Sequence, residues 1–178
     1  FRRVLFRSDR GIFLDSVFLT DNTIVYADRT KIQQVIYNLV DNAIKFTPEG
    51  RQIRVQVTEK DNKIFTSVKD EGIGIPKDAQ KKVFERFYKT DPSRGKDKTG
   101  TGLGLAITKE IIKAHGEQIT LTSEEGKGSE FIFSLPKEKD MLVPIKPVHI
   151  ESRNEGYSEA DTSSPSIKSN GKFRIKDS

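Results

Sequence analysis

Asn38, Asn42 and Lys45 stand at spacings that gather polar groups in a helix. At about 100° per residue they fall within about 60° of one another. They lie beside an apolar stripe of Ile32, Val35, Ile36, Leu39, Ala43 and Ile44. Asn inside a helix costs roughly half a kcal/mol against Ala, so two of them one turn apart are best explained by work for their amide oxygens. A hard cation such as Mg²⁺ takes oxygen ligands and keeps several waters. One Asn oxygen plus phosphate oxygens is then a sufficient site, with Lys45 reaching the same phosphates. The plainer alternative is a solvated helix face.

Two glycine-rich loops follow. Asp70-Glu71-Gly72-Ile73-Gly74-Ile75-Pro76 comes directly after an alternating strand pattern. A carboxylate at a strand end can accept from an exocyclic amine, and glycine lets a flat ring approach the backbone. Adenine fits that description, as does a tight turn with no ligand. Gly100-Thr101-Gly102-Leu103-Gly104-Leu105 opens a helix, so free N–H groups and the positive dipole end suit a polyphosphate. It is neither a G-x-x-x-x-G-K-[ST] loop nor a G-x-G-x-x-G fingerprint, since Leu105 stands at the third glycine position. The V-A-I-K, H-R-D and D-F-G signatures are missing too. Lys89, Arg94, Lys96 and Lys98 flank this loop and are placed to close over an anion as a lid.

These residues need elements to position them. The apolar spacing predicts a helix over 29–46, capped by Asp28 or Thr30 and stopped by Pro48. Ile53, Val55 and Val57, then Ile64, Thr66 and Val68, alternate around Asp61-Asn62 and predict an antiparallel hairpin. A short helix over 77–87 would turn Val83, Phe84 and Phe87 inward, and a polar loop would run from Lys89 to Thr99. A second long helix over 103–115 would stop at Gly116 and lead into a hairpin of 118–123 and 129–135. The order predicts an α+β fold, with helices on one face of a sheet. Residues 1–10 match no clear register and are expected to be a poorly defined segment before a domain at 11–136. From 137 to 178 periodicity stops and Pro144, Pro147 and Pro165 intervene, so a disordered tail is expected.

The 178 residues contain no cysteine, which excludes a disulfide framework, a thiolate metal site and a cysteine nucleophile. A cytoplasmic setting is expected. No run approaches the roughly 18 apolar residues of a spanning helix, so no membrane contact is expected of these residues. The first residue is Phe1 and not Met, so an upstream part is expected. A net charge of +5 and a pI near 9.3 point towards nucleic acid until the charge is located. Residues 11–136 carry 19 basic and 18 acidic side chains, and the excess lies mainly in Arg2, Arg3, Arg7 and Arg10. A near-neutral core is a poor polyanion-binding face, and no nucleic-acid partner is expected.

I-Q-Q-V-I-Y-N-L-V-D-N-A-I-K-F-T-P at 32–48, V-K-D-E-G-I-G-I-P at 68–76, F-E-R-F-Y-K at 84–89 and G-T-G-L-G-L at 100–105 occur in this order. Together they resemble the N, G1, F and G2 boxes of the catalytic ATP-binding domain of bacterial sensor histidine kinases. The resemblance covers about 20–136 and includes Gly126-Lys127-Gly128-Ser129 in the closing hairpin. It implies the Bergerat fold, a two-layer α/β sandwich with a mixed sheet covered on one face by helices, shared with gyrase and with heat-shock chaperone and mismatch-repair ATPases.

By this resemblance ATP and Mg²⁺ are the cofactors. Asn42 would coordinate Mg²⁺ with Asn38 in support, and Lys45 and Phe46 would contact the nucleotide. Asp70 would read the adenine amine, and Gly72, Gly74 and Ile75 would wall the ring. Gly100, Thr101, Gly102, Leu103, Gly104 and Leu105 would cradle the phosphates, with Ser129 nearby on the closing hairpin. Lys89 stands where many relatives carry Arg, which replaces a bidentate grip by a point charge, and Arg86 is a second candidate. Hydrolysing relatives place Glu four residues before the Mg²⁺-binding Asn, but here that residue is Asn38, and an amide is no general base. The resemblance therefore implies a site that holds ATP for an external acceptor, a histidine on a separate dimerisation hairpin, with a response regulator downstream and a full-length protein anchored in the membrane. His115, at a helix end, and His149 lack the acceptor's context. The alternatives are a serine-directed anti-sigma kinase of the same superfamily and an ATP-binding module without catalysis.

Overall fold

The computed structural model describes residues 2–21, 24–89 and 101–137. Asp28 caps the first helix, α1 (Arg29–Phe46), where its side chain accepts from the Lys31 N–H at 3.0 Å. That satisfies one of the donors a helix start leaves unpaired. Thr47 ends α1 in an extended conformation, as the residue before Pro48 should. Val35, Leu39 and Ala43, one turn apart, are buried, and full burial of Leu39 alone is worth about 1.5–3 kcal/mol. The second helix, α2 (Gly104–Ala114), buries Ala106, Thr108, Ile111 and Ile112. It stops at Gly116, whose φ of +76° suits the residue after a helix C-cap.

The strands are β1 (Arg2–Arg7), β2 (Phe13–Phe18), β3 (Gln52–Lys60), β4 (Lys63–Asp70), β5 (Ile119–Glu124) and β6 (Gly128–Pro136). They form one sheet in the order β1-β2-β3-β4-β6-β5. Only β2 and β3 pair in parallel, and α1 lies in the long connection such a pair requires. Lys60 pairs with Lys63, so Asp61 and Asn62 make a two-residue turn, at φ +49° and +60°. Both residue types tolerate that conformation. Ile53, Val68, Phe131, Phe133 and Leu135 join Leu39 and Ile112 in one core. Residues of the opposite parity, such as Arg54 and Lys69, are exposed. The mixed sheet is thus covered by helices on one face, as expected of an α+β two-layer sandwich.

Three expectations need correction. Residues 2–7 are a strand paired antiparallel with β2, and not a segment without register. Its alternation is obscured because Val4, Leu5 and Phe6 are consecutive and all exposed. Residues 77–87 form a chain of turns, with Val83 N–H bonded to Ala79 O and Lys82 N–H to the same carbonyl, and no continuous helix. Val83 is buried and Phe84 packs on the core, but Phe87 is 73% exposed. Its φ of +63° turns it away from the inward face. Lys137, expected in the tail, bridges to Val25 and ion-pairs with Glu59. The expected lid with Arg94, Lys96 and Lys98, Gly100, His149 and the tail from 138 lie outside the described residues.

Candidate nucleotide site

Strand parity carries Asp70 into the interior. Ile64, Thr66 and Val68 face the helices, and Asp70 continues that series at the end of β4, 7% exposed. Its Oδ1 accepts from Gly72 N at 2.9 Å and Ser129 N at 3.2 Å. Burial pushes the carboxyl above its ordinary value, and the two N–H donors pull the other way. Oδ2 has no protein partner among the described residues, so one acceptor remains for a bound group.

The loop after Asp70 is clasped by the closing hairpin. Ser123 Oγ accepts from Ile75 N at 2.8 Å and donates to Gly128 O at 2.9 Å. Gln80 Nε2 donates to both Ile75 O and Ser123 O, and Gly126 N donates to Ile73 O. Glycine is required where these backbones meet. A Cβ on Gly74, at φ +68°, would stand 2.1 Å from Glu124 O, and one on Gly128 would stand 2.0 Å from Asp70 O. Gly72 is packed under the carboxylate, where a Cβ would meet Phe46 O at 2.6 Å.

On the opposite side, the first turn of α2 has no side-chain cap and no acidic residue. Its N–H groups and positive dipole end therefore remain available to an anion. Asn38 Nδ2 donates to Gly104 O at 3.1 Å and to Thr108 Oγ1 at 3.4 Å, tying α1 to this helix start. Phe87 N donates to Gly102 O, and at φ +71° a Cβ on Gly102 would press on Phe87 at 2.9 Å. The turns of 77–87 thus end against the second glycine loop.

Between these walls lies a cleft of about 230 Å³. From α1 it is lined by Asn38, Asn42, Lys45 and Phe46, and from the first loop by Asp70, Gly74 and Ile75. Lys89, Thr101, Gly102, Gly104, Leu105 and Ser129 complete the expected residues that line it. Gly72 and Leu103 back the wall instead, and Arg86 is exposed outside it. Sequence reasoning missed Asp41, Ile73, Val83 and Tyr88 as lining residues, and Ser123 and Gln80 as supports. Asp41 was within reach, since it stands one turn before Lys45 and pairs with it at 2.9 Å. Ser123 carried no signal, because its role comes from a strand pairing across the hairpin.

His115 sits outside the cleft. Its Nδ1 bonds to Ile111 O at 2.8 Å and its Nε2 accepts from Asp28 N at 3.0 Å. Nδ1 thus anchors the ring to its own helix and Nε2 joins the end of α2 to the cap of α1, a structural task. Among the described residues no three His, Cys, Asp or Glu side chains gather to hold a metal, and no helix is long and apolar enough to cross a membrane.

A mixed sheet under two helices, with a cleft between a strand-end carboxylate and an uncapped helix start, defines a nucleotide-binding α+β fold. Residues 27–139 match the family of histidine kinase-, DNA gyrase B- and HSP90-like ATPases, and the chain belongs to it. It is 48% identical over 118 residues to the sensor histidine kinase WalK of Bacillus subtilis, a match covering 65% of this chain and 19% of that protein. It is 44% identical over 110 residues to the sensor protein SrrB of Staphylococcus aureus, covering 62% of this chain and again 19% of the relative. The chain therefore spans about a fifth of the length of these relatives. Among solved structures, full-length ShkA in complex with AMPPNP superposes with a TM-score of 0.63 at 32% identity, over 72% of this chain and 26% of that one. The catalytic domain of histidine kinase ThkA superposes with a TM-score of 0.58 at 40% identity, over 70% and 80%.

Proposed function

We propose that this chain is the ATP-binding catalytic part of a sensor histidine kinase, which holds Mg-ATP for phosphoryl transfer to a histidine carried elsewhere in the full-length protein. The observation that carries the reading is a single cleft with complementary ends. A buried carboxylate with one unused oxygen faces it from β4, and the uncapped start of α2 faces it from the other side. An exocyclic amine suits the first and a polyphosphate the second. The names of WalK and SrrB, and the AMPPNP complex of ShkA, support the same reading.

The donor set also fits a nucleotide-borne cation. Asn42 and Asn38 offer amide oxygen chemistry without a carboxylate cage, so Mg²⁺ would be held jointly by Asn42, phosphate oxygens and water. Bound there, the cation would neutralise charge on the transferring phosphoryl group. Lys45 and Lys89 add positive charge along the cleft, and Gly102 with Gly104 brings backbone N–H groups close. No Glu stands at position 38 to activate water, so the chain alone should turn ATP over slowly. A dimerisation hairpin and a response regulator are the partners this function requires. Calorimetry of the chain with ATP, with and without Mg²⁺, tests the reading. Mg²⁺-dependent binding of ATP in preference to GTP is expected, and absence of nucleotide binding would overturn it.

A further inference from the structure

Among the described residues no side chain caps the start of α2, yet that turn forms a wall of the cleft. An ordinary cap would fix it by accepting from first-turn N–H groups, which are the donors an anion needs. Asn38 fastens the same turn through acceptors instead. Its Nδ2 donates to the Gly104 carbonyl at 3.1 Å and to Thr108 Oγ1 at 3.4 Å. Gly104 and Thr108 stand four apart in α2, so they lie on one face of the helix, and the two hydrogens of one amide serve both. The carbonyl can only accept, which requires that the NH₂ of Asn38 and not its oxygen face α2. Thr108 is fully buried and outside the cleft lining, whereas Asn38 is half-buried and lines it. At the far end of the same two helices His115 Nε2 accepts from Asp28 N at 3.0 Å. The pair α1 and α2 is therefore tied at both ends, and of these two ties the one made by Asn38 adjoins the cleft.

We propose that Asn38 positions the start of α2 in place of a cap, holding the turn by its acceptors so that its N–H groups stay open to an anionic ligand. The identity of that ligand rests on the nucleotide reading above, but the tie belongs to the ligand-free chain. Thr108 acts only through Asn38, since it is buried behind the cleft wall, and is a second positioning residue. Losing a hydrogen bond between neutral groups corresponds to about two- to twelvefold in an equilibrium constant. Removing Asn38 takes away both bonds, and removing the Thr108 hydroxyl takes away the longer one.

The test measures two quantities for the parent chain, Asn38→Ala, Thr108→Val and the double variant. One is hydrogen exchange at Ile107 N–H, whose bond to Leu103 O lies in the first turn of α2, and the other is the dissociation constant of Mg-ATP. Asn38→Ala is expected to speed the exchange and weaken ATP binding by about tenfold each, and Thr108→Val by about threefold. In the Asn38→Ala background Thr108→Val should change either quantity by less than about 1.5-fold, because the group through which it acts is gone. Thr108→Ser keeps the acceptor and should match the parent, which rescues the effect and decides the matter if Asn38→Ala does not fold. His115→Ala loosens the opposite end of the helix pair, so it should lower the melting temperature while leaving Ile107 exchange and ATP affinity within about twofold of the parent. That split separates positioning from a general contribution to the fold. Unchanged Ile107 exchange in Asn38→Ala, an undiminished effect of Thr108→Val in the Asn38→Ala background, or ATP binding weakened as much by His115→Ala as by Asn38→Ala would overturn the proposal. If the parent chain binds no ATP, the nucleotide reading itself fails, while the exchange measurement still decides whether Asn38 holds the helix start.

Discussion

Replacing Asp70 by Asn should separate function from stability, because the two draw on different properties of the same carboxylate. The side chain is 7% exposed, and burial holds its pKa above the ordinary value despite two N–H donors. A raised folded-state pKa means that the folded protein binds the proton more tightly than the unfolded one. The associated stability is fully present below the unfolded value of about 3.8 and is lost as pH rises through the folded value. At pH 7 the ionised group therefore carries a net penalty that a neutral isostere avoids. Asn can keep both bonds from Gly72 N and Ser129 N through its amide oxygen. Its NH₂ would then occupy the Oδ2 position and present a donor to an adenine amine. Losing a hydrogen bond to a charged acceptor costs about 1.5–3 kcal/mol, or about 10- to 150-fold in ATP affinity. Calorimetry with ATP and GTP, and thermal melts between pH 7 and pH 4, read the two effects. The expected result is ATP binding weakened by at least about tenfold, with GTP affected less. The variant should melt at or above the parent temperature at pH 7, with the difference shrinking as pH falls. ATP affinity within about twofold of the parent, or a variant less stable at pH 7 than the parent, would refute the reasoning.

Other perturbations follow from the same contacts. Ser123→Ala removes the acceptor for Ile75 N and the donor to Gly128 O, so nucleotide affinity should fall several-fold with a stability loss of about 1 kcal/mol, measurable by calorimetry and denaturant melts. Gly74→Ala forces a Cβ to within 2.1 Å of Glu124 O at φ +68°, and denaturant unfolding should show a loss of more than about 2 kcal/mol. Arg3 and Arg54 hold the Asp15 carboxyl below its ordinary value, so its stabilising contribution is present above about pH 3.8 and is lost as pH falls through the depressed folded value. Asp15→Asn should accordingly lower stability at pH 7 and flatten the acid limb of a melt series.

Much of this arrangement was legible because the site residues sit on strongly patterned elements. The 3.6-residue period of α1 placed Asn38, Asn42 and Lys45 on one edge, and that edge lines the cleft. The two-residue period of β4 likewise carried Asp70 inward. Residues 77–87 misled because Val83, Phe84 and Phe87 have helical spacing, but the segment runs as successive turns, with Phe87 N–H bonded to Gly102 O and Phe87 exposed at positive φ. Strand β1 escaped notice because an edge strand with consecutive exposed apolar residues shows no alternation, and its pairing with β2 is a tertiary fact. The clasp of Ser123 and Gln80 on the first glycine loop depends on hairpin register, which no local pattern encodes.

The most direct test of the central claim incubates this chain with Mg²⁺, [γ-³²P]ATP and a dimerisation hairpin from a sensor kinase of the same family. Acid-labile label on a hairpin histidine is expected, with little phosphate released when the hairpin is omitted. Acid-stable label on serine, or rapid phosphate release by the chain alone, would contradict it.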